Sequence, residues 1–177
     1  AYFTWNYKKV TGEDFCGYLF VVDYGGGTLD ITINQVSCDG EKSNVIEIDR
    51  TGAGENEEGQ MGKAGIAYME AVVSSAIEQC LAIKPEIDNE FYYAVDQFEQ
   101  ALQSKSRKVR QFYQDHAFLE LEELEEPFFK IRYMGKQIPI TYGLMASVYR
   151  IVIEPVLEEK LNLMTRVLKK YEIDYEN

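Results

Sequence analysis

The chain has 177 residues, 46% of them hydrophobic, which supplies enough apolar surface for one packed domain or a large piece of one. Thirty acidic residues against 18 basic ones leave a net charge of −12, which disfavours nucleic acid and anionic membrane as partners and opposes long-range steering of a free anion. The sequence has no basic-plus-apolar leader and no apolar run long enough to span a bilayer, so a cytoplasmic location is expected.

The opening Ala1–Tyr7 is aromatic without a clear period and leads through Lys8 and Lys9 to a turn at Gly12-Glu13-Asp14. Tyr18–Asp23 is an apolar strand, Gly25-Gly26-Gly27 a tight turn, and Thr28–Val36 a second strand in which Leu29, Ile31 and Ile33 alternate with Thr28, Asp30 and Thr32. A third strand is predicted over Asn44–Arg50, completing an antiparallel meander. Three cysteines, Cys16, Cys38 and Cys80, lack metal-ligand spacing; neither a complete disulfide framework nor structural zinc is expected, and free thiols fit a reducing compartment.

A glycine-rich acidic loop, Thr51–Gly62, leads into a helix with its apolar stripe at Ile66, Met69, Val72, Val73, Ala76, Ile77, Cys80 and Leu81. The loop reads equally as a solvated connector or as an anion site at a helix start. Pro85 is expected to open a second helix, apolar at Ile87, Phe91, Ala94, Val95, Phe98, Ala101 and Leu102, whose tail Ser104–Arg110 holds the chain's only dense basic run. That run reads as a solvated face or as a ligand contact. His116 stands without a second ligand at metal spacing and is assigned no role. Strands are expected over Phe118–Leu121, Phe128–Met134 and Gln137–Ile140, with a turn at Gly135. The acidic run Glu122–Glu126 has no turn-forming glycine and reads as a solvated edge. Thr141 is expected to cap the last long helix, which Pro155 interrupts.

The glycine turn carries the candidate chemistry. Without Cβ atoms, backbone N–H groups can close on an anion, and the carboxylates of Asp23 and Asp30 on either side call for a cation such as Mg²⁺ between them and a phosphate. A plain hairpin loop is the competing reading. In the form Asp23-Tyr24-Gly25-Gly26-Gly27-Thr28-Leu29-Asp30 the segment resembles the phosphate hairpin of the seventy-kilodalton heat-shock chaperones, members of the actin-like ATPases. Ile140-Thr141 and Glu154-Pro155-Val156 resemble that family's Ile-Thr-Arg and Leu-Glu-Pro-Val signatures, and the order of segments agrees along essentially the whole chain.

The resemblance implies an α/β fold: the second lobe of an actin-like, ribonuclease H-like ATPase domain, with residues 1–83 and 142–177 forming a larger part and residues 84–141 a smaller, lid-like α+β insertion. It implies that Gly25, Gly26 and Gly27 hold the phosphates of ATP or ADP, that Thr28 adds a hydroxyl, and that Asp23 orients a metal-bound or attacking water, with Asp30 beside them. Gly62 would be a second backbone approach to the nucleotide, and Lys63, standing where the family has glycine, would itself reach phosphate. Glu99 and Ser106 would mark the ends of an adenosine-binding pattern, with Leu102 and Gln103 at its two basic positions.

The start at Ala1 and the stop before the family's second glycine turn read as a fragment, with a missing first lobe as its partner. A fragment of this kind is expected to bind nucleotide weakly and to hydrolyse none. The full-length protein would be a stress-response chaperone coupling ATP hydrolysis to a peptide-binding domain, unfolded polypeptides, and a co-chaperone or exchange factor. Another actin-fold ATPase or kinase, a filament-forming relative, and a degenerate non-hydrolysing regulatory module are the alternatives.

Overall fold

A computed structural model describes residues 2–26, 28–39, 42–53, 65–116 and 124–172. The described residues form a mixed α/β fold with two antiparallel sheets and six helices. By contacts the chain divides into one unit of Ala1–Ala64 with Val156–Asn177 and a second of Gly65–Pro155. None of the described helices is long and apolar enough to cross a membrane.

The first unit begins with α1 (Tyr2–Thr11). Gly12, at φ +79°, ends it by donating its N–H to the Lys8 carbonyl at 2.8 Å, a left-handed cap that a Cβ would strain. Phe3 and Tyr7 lie edge-on to Phe15, with centroids 5.2 and 5.4 Å away, so the aromatic opening is used in local packing.

The meander follows as β1 (Gly17–Tyr24), β2 (Leu29–Asp39) and β3 (Lys42–Ala53), in the order β1-β2-β3. β3 runs on through Thr51–Ala53 into the segment whose composition predicts loop. Period-2 alternation turns Leu29, Ile31 and Ile33 to one face, where they are buried with Val156 and Met164 of α6 (Glu154–Lys170). The in-between residues, Asp30 and Thr32 of β2 with Val21, Asp23 and Arg50 across from them, share the opposite face. β1 is apolar on both faces, as a strand buried in a sheet would be, yet Tyr18, Phe20, Val21 and Val22 are exposed.

Cys16 and Cys38 form a disulfide, which corrects the expectation of free thiols at these two positions; Cys80 is free and exposed. The cause is strand register. Pairing Gly17 with Val36 brings the flanking cysteines to a Cα separation of 5.9 Å, within the ordinary span of a disulfide.

The second unit holds α2 (Gly65–Leu81), α3 (Asn89–Ser104), α4 (Ser106–Asp115), β4 (Pro127–Tyr133), β5 (Lys136–Thr141) and α5 (Tyr142–Val152). The predicted stripe of α2 packs Met69, Val72, Val73, Ala76 and Ile77 into one core with Phe91 and Phe98 of α3, Ile131 of β4, Ile138 and Ile140 of β5, and Met145 of α5. Contact thus groups α2 and α5 with the inserted segment, whereas the resemblance grouped them with the hairpin.

Three boundaries differ from expectation or sharpen it. The second helix starts at Asn89, not Pro85, because the Asp88 carboxylate accepts the Phe91 N–H at 2.9 Å and fixes the N-cap there. Its basic tail is a separate helix, α4, after a break at Lys105. The Lys105 ammonium folds over the Phe128 and Phe129 rings at 5.3 and 5.0 Å and donates to the Phe128 carbonyl. Met134 and Gly135, at φ +48° and +69°, make the two-residue turn between β4 and β5, a geometry that needs positive φ at both positions.

Thr141 caps α5 by accepting the Leu144 N–H at 3.1 Å, and the long helix divides at Ile153, ahead of Pro155 in the first turn of α6. The strand expected over Phe118–Leu121 lies outside the described residues, as does most of the glycine-rich loop.

Candidate functional site

The hairpin between β1 and β2 is closed by its own backbone. The Gly25 N–H donates to the Thr28 carbonyl at 2.7 Å, so this amide is spent inside the turn. A Cβ at Gly25 would approach the same carbonyl oxygen to 3.3 Å, a tight contact that favours glycine. Gly26 and Thr28 are exposed, and Gly27 lies outside the described residues.

Pairing places Asp23 directly across from Asp30, so the two carboxylates flanking the glycines stand side by side on the face turned away from α6. Like charges directly opposite each other in a sheet repel. One is compensated: Asp30 Oδ1 accepts from Arg50 Nη2 at 2.7 Å and from Nε at 3.2 Å, and the neighbouring carboxylate raises the Arg50 guanidinium above its ordinary value. Among the described residues Asp23 is exposed and has no side-chain partner.

The third residue in this row is Gly52, paired with Asp30. A Cβ there would collide with the Leu29 carbonyl oxygen. The row therefore reads carboxylate, carboxylate, bare backbone, with Arg50 in the adjacent row of the same face.

Arg50 carries no motif in the sequence. It becomes part of the site through the β2–β3 register, which sets Arg50 against Thr32 and diagonal to Asp30. Alternation along the third strand, traced against the second, is the signal that could have found it.

Gly62 and Lys63 lie outside the described residues. Glu99 and Ser106 belong to the second unit. Glu99 is half-buried on α3 and accepts from Gln103 Nε2 at 3.1 Å; Ser106 is exposed as the first residue of α4. Leu102 and Gln103, which stand at the basic positions of the adenosine pattern, have local uses here: Leu102 packs on the core and Gln103 bonds Glu99. His116 stacks on Phe112 with centroids 4.2 Å apart, and its Nδ1 lies 2.8 Å from the Phe112 carbonyl. Among the described residues no three His, Cys, Asp or Glu side chains gather as a metal-holding group.

In chemical terms the hairpin offers an exposed carboxylate, an ion-paired carboxylate, an exposed hydroxyl and a glycine turn, all at one end of a sheet. No protein-family model matches the chain, and no curated protein matches it.

Proposed function

We propose that the chain is part of the nucleotide-binding domain of a chaperone-like ATPase, and that the turn from Asp23 to Asp30 receives the phosphates of ATP or ADP with Mg²⁺. One observation carries the reading: Asp23 and Asp30 stand abreast beside the glycine turn and, among the described residues, a cationic partner, Arg50, is found for Asp30 alone. An exposed carboxylate without a partner is a place for a cation, and a cation is what would let phosphate approach two acids.

The donor set fits Mg²⁺. This ion takes hard oxygen ligands, keeps several waters, and is ordinarily held by one or two carboxylates plus phosphate oxygens. Asp23 would hold it, directly or through water, and Mg²⁺ would neutralise phosphate charge. The Gly26 backbone and the Thr28 hydroxyl would contact the phosphates, while the Gly25 amide serves to hold the turn. ATP-dependent control of a peptide-binding domain, with unfolded polypeptides and an exchange factor as partners, belongs to the same proposal.

A second reading is favoured by α3. With Leu102 packed on the core and Gln103 bonded to Glu99, the adenosine pattern lacks its two cations, which suits a module that binds nucleotide without hydrolysing it.

Calorimetry with ATP in the presence and absence of Mg²⁺ tests the proposal. Weak, Mg²⁺-dependent binding is expected, and Asp23→Asn should weaken it about tenfold, the loss of one charged contact of ~1.5 kcal/mol. Absence of binding, or binding indifferent to both the metal and Asp23→Asn, would overturn it. Phosphate release separates the two readings once a first lobe is supplied, since the chain alone is expected to release none under either.

A further inference from the structure

The second unit contains a cavity of about 480 Å³ that the hairpin chemistry does not use. Its walls are the rings of Tyr68 on α2, Tyr113 on α4 and Tyr149 on α5, with Met145 of α5 among them and Arg150 and Glu154 also lining it. The size falls in the range of small-molecule sites, roughly 300–1,000 Å³, and the make-up is the usual one: mainly apolar and aromatic surface with a few polar groups.

Two of the hydroxyls are already committed as donors. Tyr68 Oη donates to the Met145 carbonyl at 3.1 Å, and Tyr113 Oη donates to the Tyr142 carbonyl at 2.8 Å. The Tyr113 hydroxyl has spent its one proton, so what its oxygen can still offer is acceptance. The Glu154 carboxylate also only accepts. A guest matched to this lining brings N–H or O–H donors.

The rings decide its shape. Tyr68 and Tyr149 meet edge to face with centroids 6.5 Å apart, and aromatic walls of this kind favour a flat partner that can stack or lie edge-on. Arg150 and Glu154 together decide its charge. The lining holds one group of each sign, so a cationic guest meets the guanidinium and an anionic guest the carboxylate, and a neutral guest meets neither penalty.

We propose that this cavity binds a neutral, planar heteroaromatic molecule bearing at least one ring N–H or amino donor. The site lies wholly within the second unit and does not rest on the nucleotide reading of the hairpin. Burial also raises the Tyr113 phenol well above its ordinary value, so its oxygen remains a neutral acceptor across the physiological range.

The test uses the whole chain labelled with ¹³C at its methionine methyl groups, with the Met145 signal assigned by Met145→Leu. The probes are indole, its isostere benzofuran, which lacks the N–H, and tetramethylammonium. Indole should shift the Met145 methyl saturably. Benzofuran should bind about five- to tenfold more weakly, the worth of roughly one hydrogen bond, and tetramethylammonium weaker still. Tyr149→Ala, at an exposed wall position, should weaken indole about tenfold while far-ultraviolet circular dichroism is retained. Tyr113→Phe should narrow the indole–benzofuran gap. A Met145 signal that does not respond to indole, equal affinity for indole and benzofuran, or stronger binding of tetramethylammonium would overturn the proposal. So would indole affinity unchanged by Tyr149→Ala.

Discussion

The two units are built from opposite proportions of core and face. In the second, nineteen described residues are buried in one continuous cluster drawn from four helices and two strands, so each side chain is backed by several others. In the first, the cluster beneath the hairpin sheet has five, Leu29, Ile31, Ile33, Val156 and Met164, while four large apolar residues of β1 remain exposed. A thin core on one face leaves the other face to charge. Asp23, Asp30 and Arg50 occupy that face in place of packing. The unit that carries the candidate phosphate turn is thus the one with the least apolar burial beneath it.

The largest expected effects come from truncating one core residue in each unit. Phe98→Ala removes a fully buried ring that lies edge-on to Phe128 and should cost about 3–5 kcal/mol; Ile31→Ala should cost about 2–5 kcal/mol. The costs overlap, but the consequences should differ. Against a typical domain stability of ~5–15 kcal/mol, the second unit should survive as a weakened fold, whereas Ile31→Ala removes one of the five described residues of the cluster beneath the hairpin and should unfold the first. Hydrogen exchange read on α3 and β4 for one variant and on β2 for the other checks this. Equal protection losses in the two variants would break the contrast.

Next in size is the disulfide. Cys16–Cys38 closes a loop with a sequence separation of 22, for which chain entropy gives at most about 3.4 kcal/mol. The gain falls below that ceiling if the hairpin persists in the unfolded chain. Thermal unfolding of the oxidised protein against Cys16→Ser/Cys38→Ser should show the loss in β1–β3, with α2 and α3 little changed. A loss spread evenly over both units would weaken the picture of a thin core compensated by a crosslink.

The disulfide also marks where the sequence stops being legible. Three cysteines suggest no framework when only their number and spacing are read; the strand register makes a pair of two of them. The same holds for Arg50, which meets Asp30 through the pairing of β2 with β3, and for the cavity's tyrosines, scattered over three helices without a local pattern. What could be read were features set by neighbours in the chain: the alternation of Leu29, Ile31 and Ile33, the stripe of α2, and the cap at Thr141. The break at Lys105 was hidden for a related reason. Lys105 leaves helical dihedrals, at φ −113° and ψ 16°, without any local breaker, and its side chain lies over Phe128 and Phe129, which come from another segment.

Alkaline pH should act on the second unit through its buried phenols. Burial is the main cause that raises Tyr113, Tyr133 and Tyr142 above the ordinary tyrosine value of 10.0. Below that value the folded and unfolded chains both keep these protons, and their contribution to stability is fully present. Above it the unfolded chain releases them first, so stability is lost as pH rises towards the folded values. Urea midpoints measured from neutral pH to above pH 10.0 should fall only at the alkaline end, with a shallower fall in Tyr113→Phe. An unchanged slope in that variant would show that its phenol is not part of the effect.

The smallest expected change is at the hairpin's charged face, where stability and binding should separate. Arg50 and Asp30 form an exposed pair, and such pairs contribute little because water and salt screen them. Asp30→Asn loses that pair but also ends the repulsion between Asp30 and Asp23 across the strands, so the two effects oppose each other and the melting temperature should hardly move. Arg50→Ala removes the pair and leaves the two carboxylates facing each other without compensation. It should be the more destabilising of the two, with a deficit that shrinks as salt is added. If the face serves phosphate and Mg²⁺, both substitutions should alter metal-dependent ATP binding by more than they alter melting. A melting change larger than the binding change would make Arg50 a structural clamp on the sheet and leave Asp23 as the hairpin's one functional carboxylate.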